Sequence, residues 1–186
     1  MIDLSKGSRI NLAKEAPGAT KFILGMGWDT RITDGAEFDL DASALLLDEN
    51  DKPVGEAGSL VFYSQLSSPC GGVVSSGDNR TGEGEGDDET ITVDTVKLNP
   101  AVAKIVLVVT IHEADARGQN FGMVNNAFVR VLKDAIARYD LSEDYSTETA
   151  VIFGELYKKD GEWRFAAKGD GFAGGLAAFL KGYGLQ

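Results

Sequence analysis

Hydrophobic and polar positions alternate over short spans of this chain, and few spans carry a helical period. Residues 21–27, Lys-Phe-Ile-Leu-Gly-Met-Gly, form a short apolar run closed by glycine. From Phe38 the alternation is regular. Phe38, Leu40, Ala42 and Ala44 fall on one face, and Asp39, Asp41 and Ser43 on the other. That is the two-residue period of a strand. Residues 60–63 and a segment starting at Ile91 read as further strands. Residues 104–111 are almost continuously apolar and β-branched, the pattern of a strand covered on both faces. Residues 150–157 and 162–167 predict a hairpin, because Lys159-Asp160-Gly161 carries the Asp-Gly signal of a tight reversal. The stretch 124–138 fits two readings. As a helix it places Val124, Phe128, Val131, Leu132 and Ala135 on one side. As two strands, 126–132 and 135–140, it turns at Lys133-Asp134. Residues 173–181 predict a helix with Leu176, Phe179 and Leu180 as its apolar face, stopped by Gly182 and Gly184. Many short strands and one clear helix predict a mainly all-β fold. The expected form is a β-sandwich of two antiparallel sheets with a few short helices, one of them near the C-terminus. No linker and no strong repeat interrupts the pattern, so residues 1–186 read as one domain.

Composition narrows the function. The chain has 186 residues, 43% of them hydrophobic, enough to fill a core. The 23 glycines against 4 prolines fit turns between short elements. Acidic residues outnumber basic ones 29 to 18, a net charge of −11. A nucleic-acid binder or a partner of anionic membrane needs the opposite balance. The single cysteine, Cys70, forms no internal disulfide, and with one histidine, His112, it makes no usual zinc site. Pro69 before Cys70 and two glycines after it predict an exposed turn. The N-terminus has no apolar run, and residues 105–111 are too few to cross a bilayer. A cytoplasmic protein with no nucleic-acid partner and no membrane insertion is expected.

One segment differs from the rest: Gly77-Asp78-Asn79-Arg80-Thr81-Gly82-Glu83-Gly84-Glu85-Gly86-Asp87-Asp88-Glu89. From Asp78 to Glu89 it holds six carboxylates and one arginine, nearly half the net charge of the chain. Two like charges about 4 Å apart repel by about 4 kcal/mol at an effective dielectric of about 20. Such a loop either stays splayed in water or folds around a cation. The spaced glycines, with Asn79 and Thr81 as neutral oxygen donors, fit a folded ion cage. The donors are all oxygen, which suits Ca²⁺ and disfavours softer metals. The EF-hand pattern does not fit, because Arg80 and Gly82 take its third and fifth positions. A phosphate loop does not fit either, since no lysine follows the glycines and the charge would repel phosphate. Asp29, after Trp28, and Asp39 and Asp41, on one strand face, are either further ligands or solvated acids.

The acidic segment closely resembles the signature of the TerD family of bacterial tellurium-resistance and stress proteins. Further blocks are similar to that family: Gly27-Trp28-Asp29, Phe38-Asp39-Leu40-Asp41-Ala42-Ser43, Thr110-Ile111-His112-Glu113-Ala114, Gln119-Asn120-Phe121-Gly122, Phe153-Gly154-Glu155-Leu156-Tyr157 and Gly174-Gly175-Leu176-Ala177. The resemblance covers nearly the whole chain. It implies a calcium-binding β-sandwich with two ions, a strand pair over 124–138, and a role in tellurite resistance or stress without catalysis. Related proteins often carry a histidine shortly before Gly-Asp-Asn, where this chain has Val74-Ser75-Ser76. Carried onto this sequence, the ligand pool is Asp78, Asn79, Thr81, Glu83, Glu85, Asp87, Asp88 and Glu89, joined by Asp29 and Asp39. Asp41 and Glu113 are candidates to support these ligands from behind. The expected partners are other stress or tellurium-resistance proteins, reading a calcium-ordered surface. The alternative is a metal-dependent hydrolase on the same acidic site, for which His112 is the one available imidazole. Direct reduction of tellurite is not expected, since Cys70 has no partner thiol in the chain.

Overall fold

The alternating segments become strands. A computed structural model describes residues 1–30, 38–77, 86–132, 136–142 and 144–185. Its strands, in chain order, are β1 (Ile2–Leu4), β2 (Arg9–Asn11), β3 (Lys21–Thr30), β4 (Leu40–Leu47), β5 (Leu60–Val61), β6 (Val73–Ser75), β7 (Glu89–Asp94), β8 (Lys104–Ile111), β9 (Val124–Leu132), β10 (Ala137–Asp140), β11 (Ala150–Lys159) and β12 (Glu162–Phe172). The helices are α1 (Leu12–Glu15), α2 (Ala114–Arg117) and α3 (Gly175–Gly182). The strands form two six-stranded sheets, ordered β1-β10-β9-β3-β7-β6 and β2-β12-β11-β8-β4-β5. This is the expected sandwich with one difference. At the edge of the first sheet β1 pairs with β10 in parallel, while the other strand pairs are antiparallel. A parallel pair needs a long crossover between its strands, and here most of the chain intervenes.

The main core lies between the sheets. Leu24, Met26 and Trp28 of β3, with Ile91 and Val93 of β7, meet Leu40, Ala42 and Ala44 of β4, with Leu107 and Val109 of β8. The other face of β4 is buried as well. Asp41 is 6% exposed and Ser43 fully buried, because a second, smaller core covers this outer face. There Leu45, Leu47, Val106 and Val108 pack under Phe179 of α3, flanked by Leu176 and Leu180. The apolar face predicted for the last helix is the face that docks, and β8 is covered on both sides as its composition required.

The ambiguous stretch resolves as strands. β9 lies between β3 and β10. Val129 and Val131 enter the core, while Phe128 and Arg130 lie on the opposite side. The predicted reversal at Lys133-Asp134 lies outside the described residues. The β11–β12 hairpin turns through Asp160 (φ 55°) and Gly161 (φ 79°), both left-handed, as a two-residue reversal requires. β5 is shorter than predicted, because the Phe62 N–H already bonds the Gln65 carbonyl at 3.0 Å and closes a turn. β1, β2 and β6 have three residues each, too few to show a period. Among the described residues no helix is long and apolar enough to cross a membrane.

Candidate metal centre

The acidic segment connects β6 to β7, and its last residues run onto the end of β3. Met26 of β3 pairs with Glu89 of β7. The Asp88 N–H extends that ladder to the Met26 carbonyl at 2.9 Å. The Asp88 carboxylate then accepts the Trp28 N–H at 2.8 Å. A register shift between Gly27 and Asp29 in the β3–β9 pairing marks the same place.

The three consecutive acids take three directions. Asp87 lies across the outer face of the first sheet, over Gly25, where its carboxyl occupies the space any Cβ would fill. One of its oxygens accepts both Nε (2.8 Å) and Nη2 (2.7 Å) of Arg130. Asp88 stays at the strand end. Glu89 points inward, 3% exposed, and its Oε2 crosses to the second sheet to accept the Ala42 N–H at 2.8 Å. Of the acids expected from neighbouring elements, Asp29 is exposed at the end of β3 and accepts the Asn126 side-chain amide at 2.6 Å. Asp39 is buried just before β4, its carbonyl accepting the His112 N–H at 2.8 Å.

Electrostatics tie three of these groups together. The Asp88 carboxyl is held above the usual aspartate range, first by burial and then by the negative charges of Asp29 and Asp87. The Trp28 N–H works in the opposite direction. Among the described residues, Arg130 pairs with Asp87. The oxygen donors at this strand end therefore carry surplus negative charge in a partly desolvated place, which is the chemistry a hard cation suits. Among the described residues, no group of three or more Asp, Glu, His or Cys side chains is arranged to hold a metal ion. Asp78, Asn79, Thr81, Glu83 and Glu85, half of the expected ligand pool, lie outside the described residues.

Asp41 and Glu113 are the two acids expected behind the ligands. Both line a cleft on the outer face of the second sheet, which Asp29, Asp39, Asp87, Asp88 and Glu89 do not line. Arg130 and Asn126 hold Asp87 and Asp29, and the sequence reading missed both. The signal was the strand alternation Asn126, Phe128, Arg130, opposite the bare positions Gly25 and Gly27 on β3. Phe128 fills the space over Gly27 and carries the Arg138 guanidinium 3.9 Å above its ring. Cys70 is exposed, as its flanking residues predicted. Partial burial pushes its thiol up, but bonding from Ser68 and nearby backbone outweighs this and lowers it.

Glu89 carries a stability prediction. Glu89→Ala leaves the buried Ala42 N–H without its acceptor and should cost about 1–3 kcal/mol. Glu89→Gln keeps an acceptor oxygen and should lose less. Urea unfolding of both variants in chelator, with unchanged denaturant slope, measures the difference.

A family model described as "TerD domain" matches residues 1–183. The tellurium resistance protein TerD of Serratia marcescens is 51% identical over 189 residues, covering 100% of this chain and 98% of that protein. General stress protein 16U of Bacillus subtilis (strain 168) is 50% identical over 190 residues, with the same coverage. Among solved structures, a homologue of telluride resistance protein (TerD) from Streptomyces coelicolor A3(2) superposes with a TM-score of 0.69 at 26% identity. That match covers 87% of this chain and 95% of that one.

Proposed function

We propose, from the premise that this chain belongs to the TerD family of tellurium-resistance and stress proteins, that it is a calcium-dependent binding module. The observation that carries the reading is Asp88. Its partly buried carboxylate sits between two like charges and accepts one backbone N–H. The residues that would hold calcium are Asp29, Asp87 and Asp88 at the strand ends, with Asp78, Asn79, Thr81, Glu83 and Glu85 from the preceding loop. Asp39 and Glu89 complete the pool. Six to eight oxygens per ion allow this pool to serve two ions. The bound cation would offset the charge and order the loop, so binding free energy becomes folding free energy. The protein acts without catalysis, in the cytoplasm, presenting the ordered loop to other stress or tellurium-resistance proteins.

Calorimetric titration of chelator-treated protein with calcium tests this. Heat fitting one or two sites per chain is expected. Absence of heat at millimolar calcium would sink the reading.

A further inference from the structure

The last residues of the acidic segment cross the outer face of the first sheet, and two glycines of β3 make room for them. At Gly86 the backbone is left-handed (φ 113°). Its carbonyl oxygen stands 3.0 Å from the point a Cβ on Gly27 would occupy, and the Asp87 carboxyl fills the same point on Gly25. A side chain at position 25 would therefore displace this carboxylate. On the neighbouring strand β9, Arg130 pairs with Gly25 and Phe128 with Gly27. Arg130 donates Nε and Nη2 to one Asp87 oxygen, at 2.8 and 2.7 Å, and the Asp87 side chain is only 9% exposed. The guanidinium also lies 5.3 Å from the centre of the Phe128 ring, a second resting place for a cation. Asp88, the next residue, is fixed elsewhere, at the Trp28 N–H. Gly25 and Trp28 are separated along β3 by about 10 Å, at about 3.3 Å per residue. Oxygens that share one calcium ion stand no more than about 5 Å apart.

We infer that Arg130 is a tethered cation that calcium must displace from Asp87, so that this ion pair sets the calcium response of the site. The inference rests on the calcium reading above. In the metal-free chain the guanidinium already offsets the Asp87 charge. To join Asp88 on one ion, Asp87 leaves Gly25 and gives up both hydrogen bonds to Arg130. Staying in place is the worse course. A divalent ion on the other Asp87 oxygen would then stand beside the guanidinium on one carboxylate, where the two repel. The released guanidinium keeps its place near Phe128. Calcium-bound protein thus presents a free cation on a sheet face where the metal-free protein has a closed pair.

The experiment follows the Arg130 Nε–H signal of the ¹⁵N-labelled full chain from chelator to saturating calcium, in moderate salt. Arg138 is the internal reference. It pairs with Arg130 across β9 and β10, and its Nε bonds Asp140 at 2.9 Å. In chelator the Arg130 signal is expected downfield, held there by the bond to Asp87. Calcium should return it to the range of a solvated arginine while the Arg138 signal stays in place. Calorimetric affinities give the second readout. Arg130→Gln should tighten calcium binding about tenfold, since a ligand charge is no longer shared. Arg130→Lys keeps the cation and Arg138→Gln removes one that is not bonded to Asp87, so each should stay within about threefold of the parent. The parent signal needs no variant, so the test survives if Arg130→Gln fails to fold. Three results would overturn the inference. They are an Arg130 signal unmoved at saturating calcium, an Arg130→Gln affinity equal to or below the parent's, and equal tightening by Arg138→Gln, a general charge effect. Parent protein that shows neither heat nor shifts with calcium sinks the calcium reading itself, and this inference with it.

Discussion

Chelator-stripped protein is expected to melt about 5–15 °C below the same protein in calcium at 100 to 1,000 times its dissociation constant. The size follows from linkage. A ligand that binds only the folded state adds about 2.7 kcal/mol at a hundredfold excess and about 4.1 kcal/mol at a thousandfold. A chain of this length gains about 2–4 °C per kcal/mol. Screening alone would also help a chain of net charge −11, so sodium chloride at matched ionic strength is the control. It should move the midpoint much less, because Asp87 and Asp88 at the end of β3 are partly buried, where salt screens poorly. Magnesium should give a smaller rise, since it keeps its waters and demands strict octahedral geometry. A midpoint that calcium and sodium raise equally would leave the loop as solvated charge and remove the ion cage.

Much of this arrangement was readable from residue order, and the failures have physical causes. The regular alternation from Phe38 gave β4, since a strand with a core face must repeat every two residues. The same pattern could not show that the polar face is buried too. Asp41 and Ser43 are covered because α3, more than 130 residues away in the sequence, folds back over the second sheet. At 124–138 both periods fit, and β3, which supplies a pairing edge, decided for strands. The acidic segment was legible as chemistry because six carboxylates in twelve residues demand an explanation. Its wiring was not. Asp87, Asp88 and Glu89 are adjacent in sequence, yet they bond an arginine on β9, the end of β3 and the backbone of β4. Those partners become neighbours only when β9 and β3 join β7 in one sheet and the second sheet closes over it, so no local pattern could assign them.

The metal-free and metal-bound proteins should respond in opposite directions to one substitution, Asp88→Asn. Burial and the charges of Asp29 and Asp87 raise the folded pKa of this carboxyl above its unfolded value. Such a group favours folding while it holds its proton. That contribution is fully present below the ordinary aspartate range and is lost as pH rises through the raised value. Above that raised value the ionised carboxylate works against the metal-free fold. Asparagine removes the charge and keeps an oxygen where the Trp28 N–H donates at 2.8 Å. The variant in chelator should therefore melt at or above the parent protein. With calcium the order reverses, because a carboxylate ligand has been lost. An affinity drop of about tenfold is expected, since ligand charge sets calcium affinity in oxygen sites. At fixed calcium that drop removes about 1.4 kcal/mol, or about 3–6 °C, from the calcium-induced rise. Melting curves of both proteins in chelator and in calcium give the four numbers. A variant that melts lower in chelator and keeps the full calcium rise would make Asp88 a structural cap for the end of β3 and exclude it from the ion site. The predicted crossing of the two orders has no such structural explanation, because loss of a cap lowers both midpoints together.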